Sequence, residues 1–360
     1  MYALMKTRPL TSLVLLSSRT ATMGSFTMSS VSSLSTASKN RTILLNALMS
    51  SATSTPHSRL DIHHVQQTAV RSTQDEARKL LQARDAGTAA VTTNNDGSVI
   101  TAPQNQKCLA VIADLQSAGR GTQGRKWEGG NRKGNLYLTV CVPYDDIPVM
   151  ITLLPLQVAV MVAELVEKLI EACLAMESLS RDEKHARKQM EMPKVNVKWP
   201  NDVLVNENKI SGTLIENEIV NGQVWLIIGI GLNVAFAPSL TESPGKQVRG
   251  ATYLQSYCPQ HALFPEDAHV MIGRDLAHGL IDWVYDKSIE KANKETKVVD
   301  DWKSFAEFGK TYELRGKVEE EDAGHFVGEE VVSVGIQYDG QLLVRGENGR
   351  ERLLIADYMF

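Results

Sequence analysis

Three groups of residues in this chain have the types and spacing to do chemistry together. The first runs Q-S-A-G-R-G-T-Q-G-R-K-W, from Gln116 to Trp127, and sets Arg120, Arg125 and Lys126 among Gly119, Gly121 and Gly124. Glycine lets a backbone adopt φ > 0 or come close to a ligand, at an entropic cost an ordinary surface loop need not bear. Cations interleaved with such glycines suit an anion that must be wrapped, and an activated acyl-phosphate is the expected occupant. The second group is K-W-P-N-D, Lys198 to Asp202, where Pro200 stiffens a turn and Asn201 and Asp202 offer oxygen atoms at the start of a strand. Asp202 could hold Mg²⁺, which prefers one or two carboxylates together with substrate phosphate oxygens. The third is Lys209, one turn further on and able to reach back over the same pocket. A cation about 4 Å from a phosphoryl oxygen gains roughly 4 kcal/mol at an effective dielectric near 20. That suffices to hold an adenylate and to stabilise charge as pyrophosphate departs.

Each piece alone has a plainer reading. Trp127 and Trp199 could be core or lid packing, Lys209 a solvated surface group, and Arg120 to Lys133 an exposed basic loop. Read literally, G-R-G-T-Q-G is a G-x-G-x-x-G, but a dinucleotide fingerprint needs a helix opening directly after it. Here R-K-W-E-G-G-N-R-K-G follows, which breaks any helix, and then the strand-like N-L-Y-L-T-V-C-V. The dinucleotide reading fails on context.

The elements that must position these groups can be read in order. Ser72 or Thr73 caps a helix with acids in its first turn and Ala77, Leu80 and Leu81 on its apolar stripe. Asn94 to Gln106 reads as a loop, and the apolar run Cys108 to Asp114 as a strand leading into the glycine loop. Leu153 to Met176 has the strongest helical periodicity, while Ser180 to Met192 is charged without a stripe. β-rich runs then follow, punctuated by turns at Asn206 to Asn208 and at Asn221-Gly222, which predicts an antiparallel meander. Phe236 to Arg249 reads as a loop and His269 to Ala292 as a helix. Past Gly309, short alternating runs predict a small β-barrel as a separate unit. The expected fold is α+β: a mixed, largely antiparallel sheet with packed helices.

Composition bounds the class. The chain has 360 residues, 43% hydrophobic and 22% charged, which suits a soluble main domain with additions. A net charge of −4 argues against a protein that coats nucleic acid. No apolar run reaches the length of a membrane span. Cys108, Cys141, Cys173 and Cys258 are scattered without a C-x-x-C pair, so reduced thiols in an intracellular compartment are expected, with no disulfide and no zinc site. Residues 1–60 are rich in Ser and Thr, carry Lys6, Arg8, Arg19, Lys39, Arg41 and Arg59, and contain no acid. That composition reads as a transit leader to a mitochondrion or plastid, with a plain disordered tail on a cytoplasmic protein as the alternative.

A-G-R-G-x-x-G-R-x-W, G-N-L-Y-L, K-W-P-N-D, K-I-S-G-x-L-I-E and I-G-I-G-L-N-V occur here in that order. Over about residues 61–360 the chain resembles the biotin–protein ligases (holocarboxylase synthetases). The resemblance implies a class II synthetase-like catalytic domain over 61–308 and an SH3-like barrel over 309–360. It also implies a two-step reaction: biotin and ATP, with Mg²⁺, give biotinyl-5′-AMP, and a lysine of an apo biotin-carrier domain of a carboxylase then takes the biotin. By the same resemblance, Ser72, Thr73, Gln74, Gln116, Gly119, Arg120, Gly121, Thr122, Lys209 and Gly212 bind biotin. Arg120, Arg125, Trp127, Lys198, Asn201 and Asn233 serve the nucleotide, with Lys209, Arg120 and Asp202 carrying the chemistry and Asp202 the metal.

The chain departs from the bacterial pattern in three places. Gln74 stands where S-T-N has Asn. Thr122 stands where G-R-G-R has its second arginine, forfeiting roughly 1.5–3 kcal/mol of charge-assisted hydrogen bonding unless Arg125 compensates. The leader takes the place of a helix-turn-helix, so no DNA binding is expected, and the protein is expected as a monomer or homodimer. The rival readings are a lipoate–protein ligase or octanoyltransferase, and a non-catalytic adenylate-binding scaffold.

Overall fold

The computed structural model describes residues 59–85, 91–93, 99–101, 107–180, 192–238, 250–258, 264–314 and 329–355. Residues 1–60, where a transit leader is expected, therefore lie outside the described residues apart from the last two positions, as does most of the charged stretch after Ser180.

A seven-stranded sheet forms the centre of the molecule. Its strands are β1 (Leu60–Val70), β4 (Cys108–Gln116), β7 (Leu136–Pro143), β8 (Val195–Lys198), β9 (Asp202–Val205), β10 (Asn208–Val220) and β11 (Gln223–Leu232), in the spatial order β1-β4-β7-β11-β10-β9-β8. Only β1 and β4 run parallel; every other neighbour is antiparallel. The meander from β8 to β11 follows from its turns. Asn206 and Glu207 (φ 46° and 68°) and Asn221 and Gly222 (φ 51° and 76°) place two successive residues in the left-handed region, as a tight hairpin matched to strand twist requires.

Both faces of the sheet are covered, which explains why β4 reads as an unbroken apolar run. Successive side chains in a strand alternate sides. Leu109 and Val111 join Ala77, Leu80 and Leu81 of helix α1 (Thr73–Asp85) on one face, with Cys141 and Ile227. Cys108, Ala110 and Ile112 enter the larger core on the other face. That core is built by α2 (Leu154–Ser180), α3 (Ala268–Tyr285) and α4 (Lys291–Phe305). The helix expected over His269 to Ala292 is in fact two: it stops at Tyr285, and α4 starts at Lys291. Asp286 accepts from the Ser288 amide, a local bond that competes with continued helix. The loop expected over Asn94 to Gln106 also needs correction, because β3 (Val99–Thr101) falls inside it and pairs with β2 (Val91–Thr93).

The C-terminal expectation is overturned. β12 (Thr311–Glu313), β13 (Glu330–Ile336), β14 (Leu342–Gly346) and β15 (Glu351–Leu354) form an open four-stranded antiparallel sheet, in that order. Among the described residues β12 and β15 do not pair with each other, so no barrel closes. Short alternating strands are common to open and closed sheets, and closure depends on pairing between the edges, which local pattern does not encode. Val331, Leu342 and Val344 form its small core, and Trp199 packs against both that core and the main one. The Trp199 indole N–H donates to Gly340 O at 3.0 Å, and Thr152 Oγ1 donates to Asp339 O at 2.6 Å.

The cysteine expectation is overturned as well. Cys173 of α2 and Cys258 are joined by a disulfide, their Cα atoms 5.1 Å apart. Cys108 and Cys141 are free and buried, and burial pushes their thiols up to about 11 and about 12. No helix among the described residues is long and apolar enough to cross a membrane.

Candidate functional site

One cleft on the α1 face gathers most of the predicted site residues. Its lining includes Ser72, Thr73 and Gln74, Gln116, Arg120, Gly121 and Thr122, Arg125 and Trp127, Asn201, Lys209 and Gly212. Arg120 and Lys209 thus reach one cavity from segments far apart in the chain.

The α1 end of the cleft is a closed hydrogen-bond network. Ser72 caps the helix: its Oγ accepts from the Gln74 amide at 3.2 Å and its carbonyl from the Glu76 amide. The Thr73 amide donates to Gln116 Oε1 at 3.0 Å, and Thr139 Oγ1 donates to Thr73 Oγ1 at 2.8 Å. With Thr73 holding its oxygen, the Gln116 side chain is fixed in one orientation. Gln74 reaches from the helix to the sheet, donating to Leu214 O at 3.2 Å and Ile227 O at 3.4 Å. A Cβ on Gly229 would stand 3.0 Å from Gln74 Cδ, so this glycine makes room for the longer amide.

The glycine loop folds as a small hairpin, β5 (Gly119–Arg120) with β6 (Lys126–Trp127), around a 3₁₀ turn at Thr122–Gly124. Trp127 lies on the sheet across Gly212 and Gly231, which are register partners on β10 and β11. A side chain on Gly231 would overlap the indole, and one on Gly212 would stand 3.2 Å from it and 3.0 Å from Lys209 Nζ. The two glycines form a flat floor, and the indole roofs it. Lys209 Nζ sits 5.4 Å from the Trp127 ring centroid and 2.7 Å from Asp202 Oδ1.

Arg120 is held by two acids, Asp75 at 2.8 Å and Glu216 at 3.1 Å. Burial opposes its charge, but Glu216 and Asp75 outweigh burial and raise its pKa above the ordinary arginine value. Arg78 shares the same acids, at 2.8 Å from Glu216 and 3.4 Å from Asp75. Thr122 has a partner of its own: Arg125 donates from Nε to Thr122 O at 3.0 Å and from Nη2 to Thr122 Oγ1 at 2.5 Å.

Four predicted residues stand apart from the cleft lining, the first being Gly119, which is buried in β5 opposite Trp127. Lys198 places its ammonium 5.3 Å over the Tyr312 ring, toward the small sheet. Asn233 is buried, donating to Thr252 O at 3.0 Å. Asp202 stands beside Gly212 in the β9–β10 register, and its carboxylate meets the site through Lys209 at 2.7 Å. Several neighbours escaped the sequence reading. Asp75 and Glu216 hold Arg120, and Thr139 and Tyr137 stand on one face of β7, as their spacing of two allows. Asn135 Oδ1 accepts from the Val234 and Ala235 amides, fixing the chain beyond β11.

A second polar cluster lies nearby. Asp114 Oδ1 accepts from His64 Nε2 at 2.7 Å and His269 Nε2 at 3.1 Å. His-Asp-His is a metal-ligand set, but Lys133 Nζ lies 2.6 Å from the other oxygen and supplies the positive charge from the protein itself.

Residues 88–233 match the family model described as the biotin/lipoate A/B protein ligase family. The chain is 31% identical over 170 residues to the bifunctional ligase/repressor BirA of Escherichia coli K12, covering 44% of each. It is 32% identical over 131 residues to the biotin–[acetyl-CoA-carboxylase] ligase of Mycobacterium tuberculosis H37Rv, covering 36% of this chain and 41% of that one. The chain spans less than half the length of these curated relatives. Among solved structures, the biotin protein ligase of Leishmania major in complex with biotin aligns over 82% of this chain and 98% of its own, at 26% identity and a TM-score of 0.46.

Proposed function

We propose that the chain is a biotin–protein ligase, an ATP-dependent enzyme acting on carboxylase carrier domains, a reading supported by the match to the biotin/lipoate A/B protein ligase model and by the likeness to the curated ligases. The observation that carries this reading is the meeting of Arg120 and Lys209 in one cleft, roofed by Trp127 and ended by Gln116 and Thr73. In the first step the biotin carboxylate attacks the α-phosphorus of ATP and pyrophosphate leaves. In the second, the carrier lysine amine attacks the acyl carbon of the mixed anhydride, AMP leaves, and the amine gives up a proton.

Lys209 supplies positive charge where the carboxylate and phosphate meet, and Arg120 supplies it from the loop side. Both cations are paired to acids, Lys209 to Asp202 and Arg120 to Asp75 and Glu216, so an incoming anion exchanges one ionic partner for another. Gln116 and Thr73 offer polar atoms at the closed end for the ureido head group. Trp127 and Arg125 take the nucleotide side. Asp202 is the carboxylate that would hold a Mg²⁺ ion, which would supply positive charge to the ATP phosphates.

Incubating the protein with biotin, MgATP and an apo carrier domain tests the proposal. One biotinyl group added to the acceptor lysine, read by mass, is the expected result. A gain from lipoate in place of biotin would move the assignment to the lipoate branch. No biotin-dependent ATP–pyrophosphate exchange would leave only a binding scaffold.

A further inference from the structure

The segment from Gly250 to Cys258 lines no part of the cleft, yet it holds the backbone of Lys209. The Lys209 amide donates to Gly250 O at 2.8 Å, and the Thr252 amide donates to Lys209 O at 2.9 Å. On its other side Lys209 pairs with Leu204 of β9, but the register of that ladder shifts between Lys209 and Ser211. A bulge re-aims the side chains beside it, so β9 alone does not set the direction of Lys209. The Gly250–Cys258 segment supplies the second rail. It is hydrogen-bonded onward through Asn233, whose carbonyl accepts from the Leu254 amide at 3.0 Å and whose side chain donates to Thr252 O at 3.0 Å. Tyr257 accepts from Thr252 Oγ1 at 2.9 Å and donates to Val205 O at 3.3 Å. The segment ends in Cys258, bonded to Cys173 on α2 across a sequence separation of 85. The disulfide is thus the covalent link between the rail beside Lys209 and the long helix under the sheet.

We propose that the Cys173–Cys258 disulfide is a redox-controlled positioning element for Lys209: closed, it fixes the Gly250–Cys258 rail; opened by a dithiol, it releases the rail and slows adenylate formation. The activity part rests on the ligase reading above; the positional part does not. Opening is an ordinary exchange. A thiolate of the dithiol attacks Sγ of Cys258, the more exposed partner, and Cys173 leaves as a thiolate that takes a proton. The second thiol of the reductant then displaces Cys258 and closes the reductant's own disulfide. Two electrons and two protons pass to the cysteine pair. Cys108 and Cys141 stay out of the exchange, because both are buried and remain protonated at neutral pH.

Amide hydrogen exchange at Lys209 and Thr252 reads the rail directly, in the oxidised protein, after dithiothreitol, and in the variant C173S/C258S. Both amides are expected to exchange at least tenfold faster once the disulfide is open, in the reduced wild type as in the variant. Biotin-dependent ATP–pyrophosphate exchange is expected to fall three- to tenfold in kcat, with KM for biotin changing less than twofold. Oxidised glutathione restores the wild type, whereas the variant stays slow and indifferent to dithiol. Unchanged amide protection on reduction overturns the proposal, whatever the activity. If no pyrophosphate exchange occurs in either state, the ligase reading falls, and the amides still decide whether the tether acts on Lys209.

Discussion

Gly231→Ala separates the stability of the sheet from the function of the loop above it. Gly231 is the penultimate residue of β11, paired with Tyr137 of β7, and is not among the residues with positive φ, so alanine fits the backbone there. Replacing a strand glycine with alanine removes unfolded-chain entropy and stabilises by about 0.4–1 kcal/mol when nothing else changes. Here the new methyl would overlap the Trp127 indole, which belongs to a two-residue strand at the end of a loop and can move away. Displacing the indole forfeits its contact with Lys209 Nζ, about 0.5–1 kcal/mol, or roughly two- to fivefold in rate. It also unseats the hairpin that carries Arg120, and a misplacement of about 1 Å can cost up to ~100-fold. The expected result is an unchanged or slightly raised Tm with pyrophosphate exchange reduced between about fivefold and 100-fold. The pair W127A and W127A/G231A completes the test: once the indole is gone, adding the methyl should do little further harm. A wild-type rate in G231A, or equal and additive losses in the two backgrounds, would refute the idea that the glycine floor serves Trp127.

Three further outcomes follow from the same structure. Glu216→Gln weakens the hold on Arg120 and should slow release of a bound adenylate roughly 1.4- to 5-fold, the range of a part-exposed ion pair of about 0.2–1 kcal/mol; faster release would contradict it. At Asp61, burial works to raise the pKa, but His63 and Arg84 outweigh it, and the folded value lies below 3.8. A lowered carboxyl pKa contributes stability that is complete above the unfolded pKa and lost as pH falls through the folded one. Asp61→Asn should therefore lower stability at neutral pH, with the deficit shrinking in urea titrations as pH drops below about 4. Opening the Cys173–Cys258 loop removes up to about 4–5 kcal/mol of stability by the loop-entropy relation, so Tm should fall in dithiothreitol and C173S/C258S should lose that sensitivity.

The parts of the molecule legible in the sequence were those whose physics is local. The β8–β11 meander followed from Asn206 to Asn208 and Asn221-Gly222, because left-handed turn residues announce themselves. Ser72 was readable as a cap for the same reason. The shared cleft of Arg120 and Lys209 was legible through the motif series that carries the family resemblance. What escaped reading depends on long-range pairing. Glu216 lies 96 residues from Arg120 and 138 from Arg78, and nothing in the local pattern joins them. Cys173 and Cys258 are brought together only by the packing of α2 on the segment after β11. Lys198 belongs to a readable motif, but strand alternation near the cis Trp199–Pro200 turn points it toward Tyr312. Closure of the small sheet likewise turns on whether β12 meets β15, a question local alternation does not address.

Trp199 gives the small sheet an importance beyond its size. Its indole is clamped to Gly340 on one side, while two residues on, Asn201 donates to Thr213 O beside the cleft. A chain cut short after Phe305 would bare that indole and the apolar patch beneath it, and the turn carrying Asn201 and Asp202 would lose its buttress. The tail works as a splint for that turn at arm's length, and shortening it would loosen the cleft without deleting one residue that lines it.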